Sequence, residues 1–209
     1  PADIPKLKTF LTTYTLPENA PDKPELVKLD FSKGVPIALN GEKMKLSELI
    51  MKLNKLAGKH GIGIVHHIED RFIGLKVRGV YEMPAAHTII EAHRNLEKYV
   101  STRLENETKS TLDTRWAYLC YGALWNDPLL ADINAFNDAI NSRVHGAVTV
   151  KLFKGKVDVV SMDSPDALFD MNLATFMKDY SFNQNVSAGF IELYTLQMRM
   201  AHQVKKKNG

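Results

Sequence analysis

The sequence has little that would mark a secreted, membrane-bound or disulfide-stabilised protein. Its single cysteine, Cys120, excludes an internal disulfide framework and a cysteine zinc site. No apolar run approaches the roughly 18 residues that a membrane span needs, and the N-terminal stretch lacks the pattern of a secretory signal. We therefore expect a soluble protein of the cytoplasm, or of an organelle after N-terminal processing. Because the chain begins with Pro1, we interpret it as a processed product or a piece of a longer protein.

An excess of charge of one sign is also missing. The 209 residues carry 27 Lys and Arg against 24 Asp and Glu, which gives a net charge of +3. Such a small excess makes only a weak electrostatic field, so charge identifies no partner and we expect no nucleic-acid binding. Without a basic groove, we interpret four clustered aromatic residues as core or interface residues rather than base-stacking platforms: Trp116, Tyr118, Tyr121 and Trp125.

Nucleotide-binding loops are missing as well. The sequence contains no GxxxxGK[ST], no GxGxxG and no two adjacent glycines. Gly58, Gly61 and Gly63 cluster in GKHGIG, but these glycines close a predicted helix, whereas a phosphate is usually cradled by a loop that opens one. We predict a helix C-cap at Gly58 and no ATP site in this chain alone.

The seven histidines do not form a recognisable metal motif. His66 and His67 point to opposite sides of a predicted strand, and His87 with Glu91 makes one helical pair without an HExxH motif. We therefore predict no metal site. Cys120 lies on the apolar stripe of a predicted helix, which indicates a buried, inert thiol.

Local patterns predict an α+β fold. Prolines concentrate in residues 1–24, which favours an extended arm or linker there. Beyond it, alternating apolar residues flank glycine turns and predict antiparallel hairpins, with turns at Lys33-Gly34, Asn40-Gly41 and Lys154-Gly155. Two or three short strands are expected over residues 62–82.

Helical spacing alternates with these strands. One amphipathic helix ends near Gly58, a second begins at Pro84, a third runs to Trp125, and Asp127 is the expected N-cap of a fourth. A long amphipathic helix with a basic tail is expected over residues 187–209. The predicted architecture is antiparallel hairpins packed with helices over residues 25–186, followed by this C-terminal helix.

The stretch from Ala57 to Pro84 is the most specific part of the sequence. It reads AGKHGIG and then IEDRFIGLKVRGVYEMP. These segments resemble the AGKHGVGR and ENRFIGMKSRGIYETP motifs of argininosuccinate synthase. The likeness extends over nearly the whole chain, since KGVPIALNG, the segment from Ala117 to Trp125, SPDALFD and AGFIEL also resemble parts of the C-terminal half of that family.

The resemblance implies a ligase of arginine biosynthesis and the urea cycle, which joins citrulline and aspartate using ATP. In that family the N-terminal half carries an SGGxDT loop and binds ATP with magnesium, so this chain is expected to bind no cofactor by itself and to be active only with such a half. The Glu of ENRF and the Tyr of RGIYE are citrulline contacts, and they fall on Glu69 and Tyr81. The resemblance also implies a homotetramer joined through the C-terminal helix.

Other interpretations of the same residues remain open. Glu69 could pair with Arg71 or Arg78 on the surface, with Tyr81 an ordinary strand aromatic. The apolar residues of the terminal helix could pack on the chain's own sheet: Phe190, Leu193 and Tyr194.

Several positions also depart from the family motifs: Ile64, His66, Asp70, Val77, Met83, Ala86 and His87. Ala86 replaces a glycine, which predicts backbone strain if that position requires a positive φ. These departures suggest a rival role, a catalytically inactive paralogue that serves as a structural subunit of a larger assembly.

Overall fold

A computed structural model describes residues 11–171, residue 173 and residues 183–208. The chain divides into two compact units, with the boundary between Leu168 and Phe169. Three sets of predicted residues lie outside the described ones: residues 1–10 of the arm, residues 172 and 174–182 of the main domain, and Gly209 of the tail.

The described part of the first unit contains all the strands. In chain order they are β1 (Glu25–Ser32), β2 (Val35–Leu39), β3 (Glu42–Lys43), β4 (Ile64–Asp70), β5 (Lys76–Glu82), β6 (Gly146–Phe153) and β7 (Lys156–Asp163). Its α-helices are α1 (Leu46–Lys59), α2 (Pro84–Val100), α3 (Arg103–Tyr121) and α4 (Pro128–Asn141), and a short 3₁₀ helix spans Pro17–Asn19. The second unit contains α5 (Val186–Tyr194) and α6 (Leu196–Asn208). This is the expected α+β architecture.

Five strands form one antiparallel sheet in the order β3-β2-β1-β6-β7. Period-two alternation turns Val27 and Leu29 of β1 to the same face, where both are fully buried. Val27 lies opposite Val150 of β6, and Leu29 lies opposite Val148. The sheet therefore has one apolar face that helices can cover.

The three predicted hairpin turns are all present. Each consists of two successive residues with positive φ: Lys33 and Gly34, Asn40 and Gly41, and Lys154 and Gly155. Two left-handed residues in a row give the turn twist that matches flanking antiparallel strands. The turn residues thus account for the local pairing of β1 with β2, β2 with β3, and β6 with β7.

Helices α1 and α2 complete the core over the sheet. Leu49 and Leu53 of α1 and Leu96 of α2 are fully buried in the same apolar cluster as β1 and β6. Burying each such side chain contributes about 1.5–3 kcal/mol relative to leaving it in water.

The predicted C-cap at Gly58 is wrong by a few residues. Helix α1 runs through Gly58 to Lys59, its C-cap is His60, and the left-handed residue that follows is Gly61, with φ of 72°. Gly58 is small for another reason: a Cβ there would come within 2.1 Å of the Thr13 carbonyl oxygen. The described end of the predicted arm passes at this point.

Helices α3 and α4 begin at side-chain caps. Thr102 and Glu105 form a capping box, in which the Thr102 hydroxyl accepts from the Glu105 N–H and the Glu105 carboxylate accepts from the Thr102 N–H at 2.8 Å. The Asp127 carboxylate caps α4 as predicted, accepting the Leu129 N–H at 2.9 Å. Helix α3 ends at Tyr121, short of the expected Trp125, because the chain turns at Gly122.

The C-terminal segment is helical as expected, in two helices rather than one uninterrupted helix. They meet at Thr195, whose N–H and hydroxyl both donate to the Ile191 carbonyl, at 3.1 and 2.7 Å. Lysines occupy the last turn of α6, where cations complement the helix dipole. Within the described ranges, no helix combines the length and the apolar character needed to cross a bilayer.

Candidate functional site

The motif residues Glu69 and Tyr81 lie on a separate two-stranded sheet made of β4 and β5. Its register pairs Val65 with Tyr81, His67 with Gly79, and Glu69 with Val77. Residues that alternate along a strand share a face, so these six form what we call the front face of the hairpin. The back face comprises the other eight strand residues: Ile64, His66, Ile68, Asp70, Lys76, Arg78, Val80 and Glu82.

Gly79 makes room for the two motif side chains to meet. A Cβ at this position would lie 2.4 Å from Glu69 Oε1 and 2.5 Å from Tyr81 Cε2. Because Gly79 has no Cβ, the Tyr81 ring can cross over it, and the Tyr81 hydroxyl donates a hydrogen bond to Glu69 Oε1. The glycine of the RGVYE segment is therefore a requirement of the site's geometry.

The Glu69 carboxylate is the centre of the cluster and is only 8% exposed. Besides Tyr81, it accepts a hydrogen bond from the Tyr121 hydroxyl at 3.3 Å through Oε2. Arg71 Nε lies 3.7 Å from Oε2, and His67 Nε2 lies 3.4 Å from Oε1. A carboxylate surrounded by donors on both oxygens is held in one orientation.

The rim of the cluster is open. Tyr81 is 43% exposed, and its ring stacks on the imidazole of His67 with centroids 5.4 Å apart and planes 20° apart. The cluster therefore combines a buried carboxylate, that of Glu69, with a solvent-accessible phenol, that of Tyr81.

Hydrogen bonding fixes the protonation states. The hydrogen bond from Tyr81 lowers the pKa of the Glu69 carboxyl below its ordinary value, and the same bond raises the pKa of the Tyr81 phenol. At neutral pH the pair is a carboxylate and a neutral phenol. A carboxylate accepts from an ammonium group, and a phenol can both donate and accept, so the pair suits a cationic or zwitterionic ligand.

Helix α3 contributes the part of the site that the sequence interpretation missed. Its C-terminal end meets the tip of the hairpin, where the rings of Phe72 and Tyr118 lie 5.2 Å apart. Gly122 permits this approach, since a Cβ there would lie 2.5 Å from the Phe72 ring. Tyr121 thereby reaches Glu69 across 52 residues of sequence. The spacing of Tyr118 and Tyr121 on one helix face was the available signal.

Of the two arginines predicted as partners of Glu69, only Arg71 lies near it. Arg71 lies within ion-pair distance, so that part of the surface-pair interpretation is present alongside the phenol contact. Arg78 lies on the back face, where its guanidinium is 3.2 Å from His66 Nδ1. The aromatic residues interpreted as core or interface are not core within this chain, since all four are exposed: Trp116, Tyr118, Tyr121 and Trp125.

A second polar cluster lies between α2 and α3, at a cavity of about 380 Å³. Burial raises the pKa of Glu97 and lowers that of His93. These groups engage each other rather than opening to a ligand: Lys109 Nζ lies 3.6 Å from Glu97 and 2.7 Å from Asp113, and His93 Nε2 contacts Asn141 at 3.3 Å. We interpret this cluster as part of the helix packing.

Metal-binding candidates do not converge. Over the residues with described positions, no group of three or more His, Cys, Asp or Glu side chains could hold a metal ion. Cys120 is partly buried beside a small apolar cluster of α3 and α4.

Comparison with known proteins identifies the relatives of this chain. Residues 2–201 match the family model described as Arginosuccinate synthase C-terminal domain. The argininosuccinate synthase of Pyrococcus furiosus is 48% identical over 202 residues, which are 97% of this chain and 49% of that protein. That of Archaeoglobus fulgidus is 50% identical over 184 residues, 88% of this chain and 47% of the relative. The chain thus spans about half the length of the curated relatives it matches.

Proposed function

Because the chain belongs to the argininosuccinate synthase family through the C-terminal domain of that enzyme, we propose that it supplies the citrulline-binding part of such a ligase. The complete reaction joins citrulline and aspartate at the expense of ATP. An ATP-binding half, on the same polypeptide or in trans, adenylylates the ureido oxygen of citrulline with release of pyrophosphate, and the aspartate amine then displaces AMP. This chain's part is to bind and orient citrulline.

The proposed contacts follow from the chemistry of an amino acid ligand. Glu69 accepts from the α-ammonium group of citrulline, and the Tyr81 hydroxyl donates to the α-carboxylate or accepts from the amine. The observation that carries the proposal is the Glu69 carboxylate, covered, ionised and oriented by Tyr81 and Tyr121 on the open front face. An ammonium group that reaches the Glu69 carboxylate through the open rim would add a charge-assisted hydrogen bond to those from the two tyrosines.

Calorimetry on the enzyme assembled from this chain and an ATP-binding half of the family tests the proposal. We expect citrulline to bind the assembled enzyme, and Glu69→Gln to weaken that binding about tenfold or more, because a hydrogen bond to a charged group contributes about 1.5–3 kcal/mol. Glu42→Gln is the matched control, since Glu42 makes an exposed ion pair with Lys52 at 2.9 Å on the five-stranded sheet. Equal weakening by both variants, or by neither, contradicts the assignment.

Most of the departures from the family motifs lie away from Glu69, which weighs against the rival role of an inactive structural subunit. Ile64 and His66 are on the back face, and Asp70 pairs with Lys76 at 2.5 Å beside the turn. Ala86 lies in the first turn of α2 and is not among the residues with positive φ, so the predicted strain is absent. Of the departures on the hairpin strands, Val77 alone faces Glu69.

Copurification separates the two roles. We expect the native protein to be recovered with ligase activity once an ATP-binding half is present. Recovery only as an inactive component of a larger assembly would favour the structural role.

We propose that the C-terminal helices join copies of the chain in a homotetramer. Large apolar side chains of α5 are mostly exposed: Phe190 at 62%, Leu193 at 72% and Tyr194 at 74%. The rings of Phe190 and Tyr194 stack with centroids 5.2 Å apart, and clustered exposed apolar side chains are typical of an interaction site. Truncation after Ser187 should lower the mass measured by light scattering, and an unchanged mass would contradict this role.

We expect the assembled enzyme in the cytoplasm.

A further inference from the structure

A short N-terminal segment crosses the back of the hairpin that carries the proposed site. We call residues Thr12–Pro17 the N-terminal strap. Three successive backbone N–H groups of the strap donate to the carboxylate of Glu82, the last residue of β5: that of Thr12 at 3.1 Å, that of Thr13 at 2.7 Å and that of Tyr14 at 2.6 Å. The Thr12 and Thr13 hydroxyls donate to the same carboxylate at 3.0 and 3.2 Å.

Successive N–H groups that converge on one point form a concave site for an anion. Burial alone would raise the pKa of the Glu82 carboxyl, but the N–H and hydroxyl groups of the strap outweigh it, and the pKa lies below its ordinary value. Hydrogen bonds to an ionised acceptor are roughly twice as strong as neutral ones. The strap is therefore attached to β5 mainly through hydrogen bonds to the negatively charged Glu82 carboxylate.

The opposite side of the strap packs against Gly58 and Gly61 of the AGKHG segment. The Thr15 N–H donates to the Gly58 carbonyl at 2.9 Å. A Cβ on Gly58 would lie 2.1 Å from the Thr13 carbonyl oxygen, and one on Gly61 would lie 2.9 Å from the Thr15 carbonyl oxygen. Gly58 and Gly61 thus allow the strap to lie close against the end of α1.

The strap also runs alongside the back face of the hairpin. A mainly apolar cavity of about 260 Å³ separates them, lined on the strap side by Tyr14 and Leu16 and on the hairpin side by Ile64 and His66. An isolated two-stranded hairpin is marginally stable in water. Among the described residues, β4 and β5 pair only with each other, so the strap is a principal support at the base of this hairpin.

We propose that Glu82 is a positioning residue for the citrulline site, which it maintains by tying the N-terminal strap to the strand that carries Tyr81. The inference rests on the proposed function of the front face. Glu82 follows Tyr81 directly, and the two side chains leave β5 on opposite faces, so fastening one side fixes the backbone that orients the other. Loosening the strap should therefore disturb the position of Tyr81 in the proposed site.

Hydrogen exchange and steady-state kinetics of Glu82→Gln test this coupling in the assembled enzyme. The amides of Thr12, Thr13 and Tyr14 should exchange about tenfold faster, and those of β4 and β5 should also lose protection, because the charged acceptor is gone. The KM for citrulline should rise about 3-fold to 10-fold while the KM for ATP stays within about twofold, as expected when one ligand's site is loosened. Unchanged protection of the hairpin would overturn the proposal.

A second variant approaches the strap from its other side. Gly58→Ala places a methyl group against the Thr13 carbonyl without touching Glu82, and alanine suits the helix in which Gly58 lies. It should reproduce the loss of hairpin protection and the rise in citrulline KM. Unchanged exchange of β1 and β6 amides verifies that both variants fold.

Glu69→Gln distinguishes this inference from the proposed function. If Glu69→Gln weakens citrulline binding and neither strap variant does, the coupling is refuted and the citrulline site stands. If no variant weakens citrulline binding, the proposed function fails together with the role assigned to Glu82.

Discussion

The five-stranded sheet and the β4–β5 hairpin belong to one unit but are built on opposite principles. In the sheet, β1 is paired on both sides, and its inward residues Val27 and Leu29 are fully buried. Within the described residues each hairpin strand pairs only with the other, and even apolar residues such as Ile68 and Ile73 are exposed at 62% and 81%. The sheet concentrates buried apolar area, and the hairpin concentrates ionisable groups. The stabilising core and the proposed citrulline site therefore have separate locations.

Removing a core side chain should have the largest effect. Leu53→Ala is expected to lower the free energy of unfolding by about 2–5 kcal/mol, because it removes transfer energy and leaves a cavity beneath the sheet. Leu53 is fully buried, whereas Leu75 near the hairpin tip is 60% exposed. Leu75→Ala should change stability by less than about 0.5 kcal/mol. Denaturant unfolding measures the free energy of unfolding of both variants. Similar decreases in the two variants would show that the hairpin contributes as much to stability as the core.

Filling the gap at Gly79 should have a smaller effect on stability and a local effect on the site. Gly79→Ala places a methyl group against Glu69 Oε1 and the Tyr81 ring, which forces them apart at about 1–3 kcal/mol of strain. We expect weaker citrulline binding in the assembled enzyme and loss of the contact between Tyr81 and Glu69 in a crystal structure. As the control, Gly41→Ala strains a left-handed turn position in the five-stranded sheet, where the added Cβ meets nothing within 4 Å, and it should leave citrulline affinity unchanged. Unchanged citrulline affinity in Gly79→Ala would show that the contact is dispensable.

Acidification should release the strap before it affects the sheet. The folded pKa of Glu82 lies below the ordinary value, so its ionised form favours the folded strap. This contribution is fully present above the unfolded glutamate pKa of about 4.3 and is lost as the pH falls through the lower folded value. Protection of the Thr12, Thr13 and Tyr14 amides, corrected for intrinsic exchange, should therefore fall below about pH 4. In Glu82→Gln the same correction should leave no such step, and a persistent step would point to another group.

Local chemistry explains what could be predicted from the sequence. The turns at Asn40-Gly41 and Lys154-Gly155 require left-handed backbone within two residues, so their signal is contained in a short window. The α2 start at Pro84 and the α4 cap at Asp127 are local in the same way.

Long-range contacts explain what could not be predicted. The partners of the Glu82 carboxylate are about 70 residues away, and Tyr121 reaches Glu69 across 52 residues. No spacing rule links such positions. Gly58 appeared to be a helix cap because its real constraint, the nearby Thr13 carbonyl, is visible only once the chain is folded.

We propose that citrulline binds on the front face of the hairpin and not on the five-stranded sheet. Hydrogen exchange of the assembled enzyme with and without saturating citrulline distinguishes these two locations. We predict that citrulline slows exchange in residues 64–82, and that this protection is lost in Glu69→Gln, while the amides of β1 and β6 keep the same rates throughout. Protection confined to other elements, or equal protection of the hairpin in wild type and Glu69→Gln, would contradict the account.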